Sequence, residues 1–252
     1  MSRSANTART VTVDLHNHTP LIPNDYRGDA ATTPRAIVER ALEAGIDVFG
    51  ATDHFSVSWA HLLLAAADEV AAETGRRLLV VPGSEIKVRH AGEETHLVAL
   101  FSPETYVDDF VALMDGLGLP RTPAPLSDLP MLWVDEVPRR VAALIDGLGG
   151  ICVVGHVDRT FGEYRFIDSD LVHDLVECEH VHAIELIDRS SRCRFRDGLA
   201  IAHLCSSDSH SLDEMGRRTS TLEVDEVSFE GLRRALLRSR VSEARLTGIA
   251  TP

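Results

Sequence analysis

Short β-branched runs alternate with longer helical patterns along most of this chain, and this alternation constrains the fold more than any other feature. VTVDLH predicts a first strand. A helix should follow, capped by Thr33, with Pro34 in its first turn and Gly45 at its end. Such alternation is typical of a mostly parallel sheet covered by helices. About seven predicted strands favour a barrel. An open doubly wound sheet is the alternative, although no strand is followed by a nucleotide-binding glycine motif.

The later elements follow the same alternation. The other predicted strands are IDVFGATDH, RLLVVPGSEIKV, THLVALF, ICVVGH, AIELID and IAHLCSSDSH, the last of the sheet. The other predicted helices are HLLLAAADEVAAETG, VPRRVAALIDGLGG, DSDLVHDLVECEH and FEGLRRALLRSR. Strands three and four should form an antiparallel hairpin centred near His90, with His96 roughly opposite Glu85. The proline-rich stretch 118–132 should be an extended loop. We expect a tail over residues 1–10 and one barrel domain over residues 11–252.

Polar side chains lie at or near the ends of nearly all predicted strands. They are His16, His18, Asp53, His54, Glu85, His96, His156, Glu185, Asp188, Asp208 and His210. Active sites of parallel α/β folds form at the carboxyl ends of the strands. His16 and His18 share a face because residues two apart in a strand point the same way. Two surface histidines would also satisfy HNH alone, but about half of the twelve histidines fall at this one rim. The set therefore predicts a metal site.

The order of these motifs resembles that of the polymerase and histidinol phosphatase (PHP) superfamily. The matching stretches are VDLHNHTP, ATDH, the Glu of PGSEI, the His of THLVALF, the His of VVGHVDR, and SSDSH. The resemblance implies an α/β fold, a distorted (β/α)7 TIM-like barrel of the PHP type. It also implies a di- or trinuclear metal centre that hydrolyses phosphoesters.

The resemblance further implies three sets of metal ligands. The first metal would be bound by His16, His18, Glu85 and Asp208. Glu85 would bridge to a second metal, which His96 and His156 would complete. The third metal would be bound by His54, His210 and an acidic residue of the loop after HNHTP. The loop PLIPNDYRGDAATTP departs from the common family pattern and offers Asp25, Asp29 and, as a weaker ligand, Asn24. We favour Asp25. Two or three divalent or transition metal ions, Zn, Mn or Fe, are the expected cofactors.

The expected reaction is hydrolysis of a small phosphate monoester or nucleotide by a metal-activated hydroxide. Asp53, Glu85 and His210 are the predicted catalytic residues, although Asp53 could instead cap the next helix. Arg159 is a candidate phosphate clamp. The alternatives are an amidohydrolase-like C–N or C–O hydrolase, for which Lys87 lies suggestively near Glu85, and a non-catalytic metal-binding regulator.

The charge and hydropathy of the chain limit the kinds of partner that it can bind. The chain carries 39 acidic and 25 basic residues, a formal net charge of −14. This balance argues against a broad phosphate-backbone footprint, so we expect a small-molecule phosphate ester as partner and no stable binding of duplex nucleic acid. No stretch approaches the ~18 apolar residues of a membrane span, and the first residues lack an apolar signal region. We therefore expect a cytoplasmic protein without membrane association.

Overall fold

The computed structural model describes residues 8–161, 164–165, 169–188 and 201–239. Its helices are α1 (Pro34–Glu43), α2 (Ala60–Thr74), α3 (Tyr106–Gly116), α4 (Pro138–Gly147), α5 (Asp170–Glu177) and α6 (Phe229–Ser239). The Thr33 side chain accepts a hydrogen bond from the Ala36 amide and so caps α1, as predicted. Gly45 and Gly75 follow α1 and α2 with φ angles of 76° and 72°, the left-handed conformation that ends helices.

Eight strands form one continuous curved sheet. The strands of the described chain are β1 (Arg9–Asp14), β2 (Val48–Ala51), β3 (Leu79–His90), β4 (Glu93–Leu100), β5 (Val134–Asp135), β6 (Ile151–Val154), β7 (Thr160–Phe161), β8 (Tyr164–Arg165), β9 (Ala183–Glu185), β10 (Ala202–Leu204) and β11 (Ser220–Val224). The sheet order is β10-β9-β6-β4-β3-β2-β1-β11, with β5 added to β3. This sheet is nearly closed, which confirms the predicted distorted TIM-like barrel.

Strand directions explain how one rim collects the polar side chains. β1, β2 and β3 run parallel, and so do β6, β9 and β10. β4 lies between these two groups and is antiparallel to both of its neighbours. The carboxyl ends of the parallel strands and the beginning of β4 therefore face the same rim.

The β3–β4 hairpin is antiparallel, as predicted, but its register differs from the prediction. His96 pairs with Lys87, and Glu85 pairs with Val98. The two turn residues, 91 and 92, have φ angles of 51° and 86°. Two-residue turns with both φ angles positive match the twist of the flanking strands. The centre of the turn therefore lies about one residue later than predicted.

Two other predictions about elements were wrong. The stretch around β10 is not the last strand, because β11 follows it and pairs antiparallel with β1. Residues 118–132 are not wholly extended, since Leu126–Met131 form a 3-10 helix that follows Pro125. Proline fixes a φ angle that suits the first turn of a helix as well as an extended segment. The helix α3 was not predicted from the sequence.

The rim stands on an apolar core contributed by most strands of the sheet and by α6. Buried members of this cluster include Val13, Val48, Val98, Ile151 and Leu236. Burial of one such branched side chain contributes about 1.5–3 kcal/mol. Branched apolar residues also fill the interiors of related barrels. The site is thus carried by rigid strand ends.

Candidate metal centre

The HNH segment beyond β1 is held in place by its middle residue, Asn17. The Asn17 amide donates to the Thr52 hydroxyl oxygen at 3.0 Å, and the Asn17 carbonyl accepts from the Thr52 amide at 2.9 Å. The Ser209 hydroxyl donates to the Asn17 side-chain oxygen at 2.6 Å. Asn17 thereby joins three strand ends. His16 and His18, on either side of it, point together into the rim, as predicted.

Gly50 allows β2 to approach the end of β1 closely. A Cβ atom at Gly50 would lie 2.2 Å from the carbonyl oxygen of Leu15, far inside van der Waals contact. Leu15 directly precedes the first histidine, and Gly50 lies just before the ATDH motif. A glycine is needed here because the two backbones meet where these motifs begin.

Glu85 lies at the centre of the rim and is 2% exposed. Three ring nitrogens approach its Oε2 atom: His54 Nδ1 at 3.2 Å, His18 Nε2 at 3.3 Å and His16 Nε2 at 3.4 Å. Two others approach its Oε1 atom: His96 Nδ1 at 2.5 Å and His156 Nε2 at 3.3 Å. The two carboxylate oxygens thus face different sets of imidazoles. In such an arrangement one carboxylate can join two cations.

Asp208 flanks this centre from the segment after β10. Its Oδ1 atom lies 3.4 Å from His18 Nε2 and 3.6 Å from His16 Nε2. His210 Nδ1 lies 3.8 Å from the same oxygen. Asp208 is therefore placed to complete the group around His16 and His18.

The loop after HNHTP offers one acid to the centre. Asp25 Oδ2 lies 3.2 Å from His18 Nδ1, and Asp25 Oδ1 lies 3.5 Å from His210 Nε2 and 3.9 Å from His54 Nε2. Asp29 instead accepts from the Ala31 amide in an exposed turn. The geometry therefore brings Asp25, and not Asp29, to the histidines.

The histidines differ in their preferred charge. Burial lowers the pKa of His54 to about 3 and that of His96 to about 4, so both rings are neutral near pH 7. Burial also disfavours charge on His16 and His18, but the surrounding carboxylates outweigh it and raise the pKa of both rings. Neutral imidazole is the metal-binding form, so a cation would displace protons from this second pair.

The carboxylates of the centre are held in their charged form. Burial alone would raise the pKa values of Glu85, Asp25 and Asp208, but the neighbouring imidazoles outweigh burial and hold all three below their ordinary values. One buried and two largely buried carboxylates in one site require positive charge nearby.

The hydrogen-bonding pattern of the centre fits metal ions. Within the described residues, several buried nitrogens have no hydrogen-bond partner: His16 Nε2, both ring nitrogens of His18, His54 Nδ1 and His156 Nδ1. Unsatisfied buried polar atoms are costly, and mixed imidazole and carboxylate donors suit Zn, Mn or Fe. The ligand atoms form four overlapping groups of three, each within 4.8 Å. The residues therefore could hold more than one transition metal ion.

The backbone of the centre is strained at particular points. In the described part of the chain, four residues other than glycine have positive φ angles, and three of them lie here: Phe55 (47°), His156 (30°) and Asp208 (48°). Such conformations cost about 1–3 kcal/mol each and cluster at functional sites. The strain aims His156 and Asp208 into the rim.

Asp53 contacts the HNHTP loop and does not cap a helix. Its carboxylate accepts from the Thr19 amide at 2.8 Å and from the Thr19 hydroxyl at 2.7 Å. α2 begins only at Ala60, so the capping interpretation of Asp53 is wrong. Burial raises the pKa of Asp53 to about 6. Because Thr19 follows His18, Asp53 is placed to position that histidine's loop.

Glu185 belongs to the predicted polar rim but to none of the three predicted sets of metal ligands. It ends β9 and is 1% exposed. Its Oε2 atom lies 2.9 Å from His16 Nδ1. That contact orients the imidazole so that the other nitrogen, Nε2, faces Glu85.

A cavity of about 320 Å³ opens directly onto the centre. Arg27, Lys87 and Arg159 line it together with Pro130 and Trp133. Arg159 Nη1 lies 3.9 Å from Asp208 Oδ2, which puts the predicted phosphate clamp beside the candidate metal ligands. Pro130 belongs to the proline-rich stretch 118–132, so this insertion forms a wall of the cavity. The sequence FGEYRFID, residues 161–168, is predicted to be a second insertion near the site, and its residues 162–163 and 166–168 lie outside the described residues.

Lys87 bears on the amidohydrolase alternative. Its Nζ atom donates to the Pro130 carbonyl oxygen and lies 4.2 Å from the centre of the Trp133 ring. The contact with the Trp133 ring suits a positively charged ammonium group and not the anionic carbamate of a carboxylated lysine.

In the described part of the chain, no helix combines the length and the apolar character that a membrane span requires.

Comparison with known proteins identifies relatives of the chain. A family model described as the PHP domain matches residues 14–178. The 5'-3' exoribonuclease Rnm of Escherichia coli (strain K12) is 32% identical over 96 residues, which cover 38% of this chain and 29% of that protein. The match thus spans under a third of the relative.

Two solved structures have the same fold. A proposed metal-dependent phosphoesterase from Bifidobacterium adolescentis superposes with a TM-score of 0.59 at 15% identity, covering 89% of this chain and 95% of that one. Endonuclease Q, solved with a 27-mer duplex substrate carrying an abasic lesion, superposes with a TM-score of 0.58 at 17% identity. That alignment covers 90% of this chain and 56% of endonuclease Q.

These relatives correct the prediction about partners. Restricting the partner to a small-molecule phosphate ester, with no stable duplex binding, was wrong, because endonuclease Q uses this fold on duplex DNA and Rnm is an exoribonuclease. The prediction from net charge failed because net charge sums all charged residues of the chain, whatever their distance from the site. Bound cations would offset the carboxylates of the centre. The cavity beside them is lined by three basic side chains.

Proposed function

Since the chain belongs to the PHP-domain family, we propose that it is a metal-dependent phosphoesterase that acts on the phosphate of a nucleotide, either free or within a nucleic-acid strand. The observation that carries the proposal is the placement of Glu85, whose two oxygens face separate sets of imidazoles. Two-metal hydrolases of phosphate esters need such a bridging ligand.

We assign the metal-binding residues to three sets, of which the first two share Glu85. His16, His18, Glu85 and Asp208 would hold one ion; Glu85, His96 and His156 a second; Asp25, His54 and His210 a third. When bound, the ions would lower the pKa of a water molecule and offset the charge of the phosphate.

The chain's own residues would prepare the site for this reaction. Glu185 fixes the ring of His16, and Asp53 fixes the loop after His18, so both histidines keep their positions without rearrangement. Arg159 would bind phosphate oxygens from the side of Asp208. His210 lines the cavity and is placed to contact the substrate.

A nucleotide substrate is supported by the cavity and by the relatives. A volume of about 320 Å³ suits one small ligand or one unit of a polymer. Rnm and endonuclease Q, as they are named, both act on nucleic acids. A strand presenting one nucleotide to the cavity would satisfy both observations.

The test is a substrate panel with protein loaded with Mn, Zn or Fe. It should compare a chromogenic phosphodiester, free nucleotides, single-stranded and duplex oligonucleotides, and an amide control, with Glu85→Gln in parallel. We expect turnover of the phosphoesters by the wild type and a loss of about a hundredfold or more in Glu85→Gln. Turnover of the amide instead would indicate an amidohydrolase. No turnover at full metal occupancy would contradict the proposal.

A further inference from the structure

Lys87 enters the cavity beside the metal centre from β3. It pairs across the sheet with His96 and lies two residues after Glu85, so all three side chains share one face of the sheet. Lys87 is only 9% exposed, yet it lines the cavity together with Arg159. Its remaining exposed surface is therefore directed towards the space where a substrate would bind.

Two neutral groups hold the ammonium group of Lys87. It donates one hydrogen bond to the Pro130 carbonyl at 2.5 Å, and Trp133 offers its ring face at 4.2 Å. An ammonium group has three donors, so two remain after the bond to Pro130. Within the part of the chain that the structure describes, no carboxylate lies within salt-bridge distance of Lys87 Nζ.

The carboxylates that act electrostatically on Lys87 are engaged elsewhere. They are Glu85, Glu94 and Asp25. Glu94 pairs with Arg89 at 2.8 Å, and the other two lie against the imidazoles of the metal centre. A nearly buried cation without its own counter-ion is costly in a folded protein. Lys87 therefore fits a site that is completed by an anionic ligand.

We infer that Lys87 binds a phosphate oxygen of the substrate and that Trp133 and Pro130 position its ammonium group for that contact. The inference rests on the proposed phosphoesterase function and adds a second cation to its phosphate site. Arg159 stands near Asp208, whereas Lys87 stands next to His96. The two cations thus approach the centre from different sides. The forked guanidinium group of Arg159 and the compact ammonium group of Lys87 would bind different oxygens of one phosphate.

The experiment measures binding of inorganic phosphate, the product of phosphomonoester hydrolysis, to Mn-loaded protein by isothermal titration calorimetry. Wild type is compared with Lys87→Met at equal, measured metal content, because methionine has a similar length and remains compatible with the Trp133 ring. We expect the dissociation constant to rise about 10- to 100-fold, the loss of one charge-assisted hydrogen bond. Metal content and the thermal midpoint should not change.

Arg89→Met is the matched control. Arg89 also lies over the Trp133 ring, at 5.1 Å, but it pairs with Glu94 at the surface and is not part of the cavity lining. Its replacement should leave phosphate binding unchanged. If Lys87→Met loses metal or stability, Lys87→Gln, which keeps a donor for Pro130, replaces it in the same comparison.

Equal phosphate binding by wild type and the Lys87 variant would overturn the inference. An equal loss in Arg89→Met would also overturn it, because the effect would then come from net charge and not from contact. The assay needs no turnover. An inactive wild type would therefore refute the proposed function without deciding the role of Lys87, and phosphate binding would decide that role separately.

Discussion

Replacing Asp25 by Asn should remove one metal ion from the centre and leave the others. The carboxylate oxygens lie 3.2 Å from His18 Nδ1 and 3.5 Å from His210 Nε2. The amide keeps the shape but loses the negative charge and one acceptor. Replacing the charged ligand of the third ion by a neutral amide should cost about 3 kcal/mol, the upper end for one interaction with a charged group. That is about a hundredfold in the dissociation constant of the third ion.

The assay is plasma mass spectrometry of metal per chain after dialysis, with a competing chelator to rank the affinities. Asp29→Asn is the control, since among the hydrogen bonds described for it the Asp29 side chain accepts a local one from the Ala31 amide. It should keep the wild-type metal count and lose about 1 kcal/mol of stability at most. An unchanged metal count in Asp25→Asn, or a loss in Asp29→Asn, would refute the assignment of the loop ligand.

Three further predictions concern residues around the centre. In Asp53→Asn the amide can keep both hydrogen bonds to Thr19, so this variant should retain activity within about tenfold. Asp53→Ala cannot, and its unfolding free energy should fall by about 2–3 kcal/mol. A collapse of kcat in the Asn variant would instead indicate proton transfer by Asp53. Burial raises the pKa of the Asp14 carboxyl from 3.8 to about 6. The contribution of the protonated carboxyl to the free energy of unfolding is therefore complete below about pH 4 and is lost as the pH rises to about 6. Asp14→Asn should therefore gain about 3 kcal/mol relative to wild type between pH 4 and pH 7 in urea unfolding of metal-free protein, and a pH-independent difference would contradict this. Arg159→Ala should raise KM for a phosphate substrate several-fold or more, and an unchanged KM would remove Arg159 from the site.

The barrel was predictable because its signals are local. Strand and helix patterns, the Thr33 cap and the glycines at helix ends each depend on a few adjacent residues. β11 was missed although STLEV alternates buried with more exposed positions, because the polar stretch before it concealed the start of a strand. The predicted register of the β3–β4 hairpin was wrong by two residues because the centre of its turn was placed one residue too early.

The site was predictable as a set of residues but not in its detail. The motif order indicated which imidazoles and carboxylates gather at the rim, since strand ends of a parallel sheet must meet. The contacts of Lys87 could not be read in advance. They depend on the short pairing of β5 with β3, which brings Trp133 beside it. A two-residue strand has no periodic signal in the sequence.

The proposed function depends above all on Glu85 joining metal ions at the rim of this barrel. Counting transition metals per chain in wild type and in Glu85→Ala, both purified without chelator and then incubated with Mn or Zn, tests this role. We expect two or three ions in the wild type and a clear loss in the variant. No bound metal in either protein would contradict this role, because the histidines around Glu85 would then not be ligands.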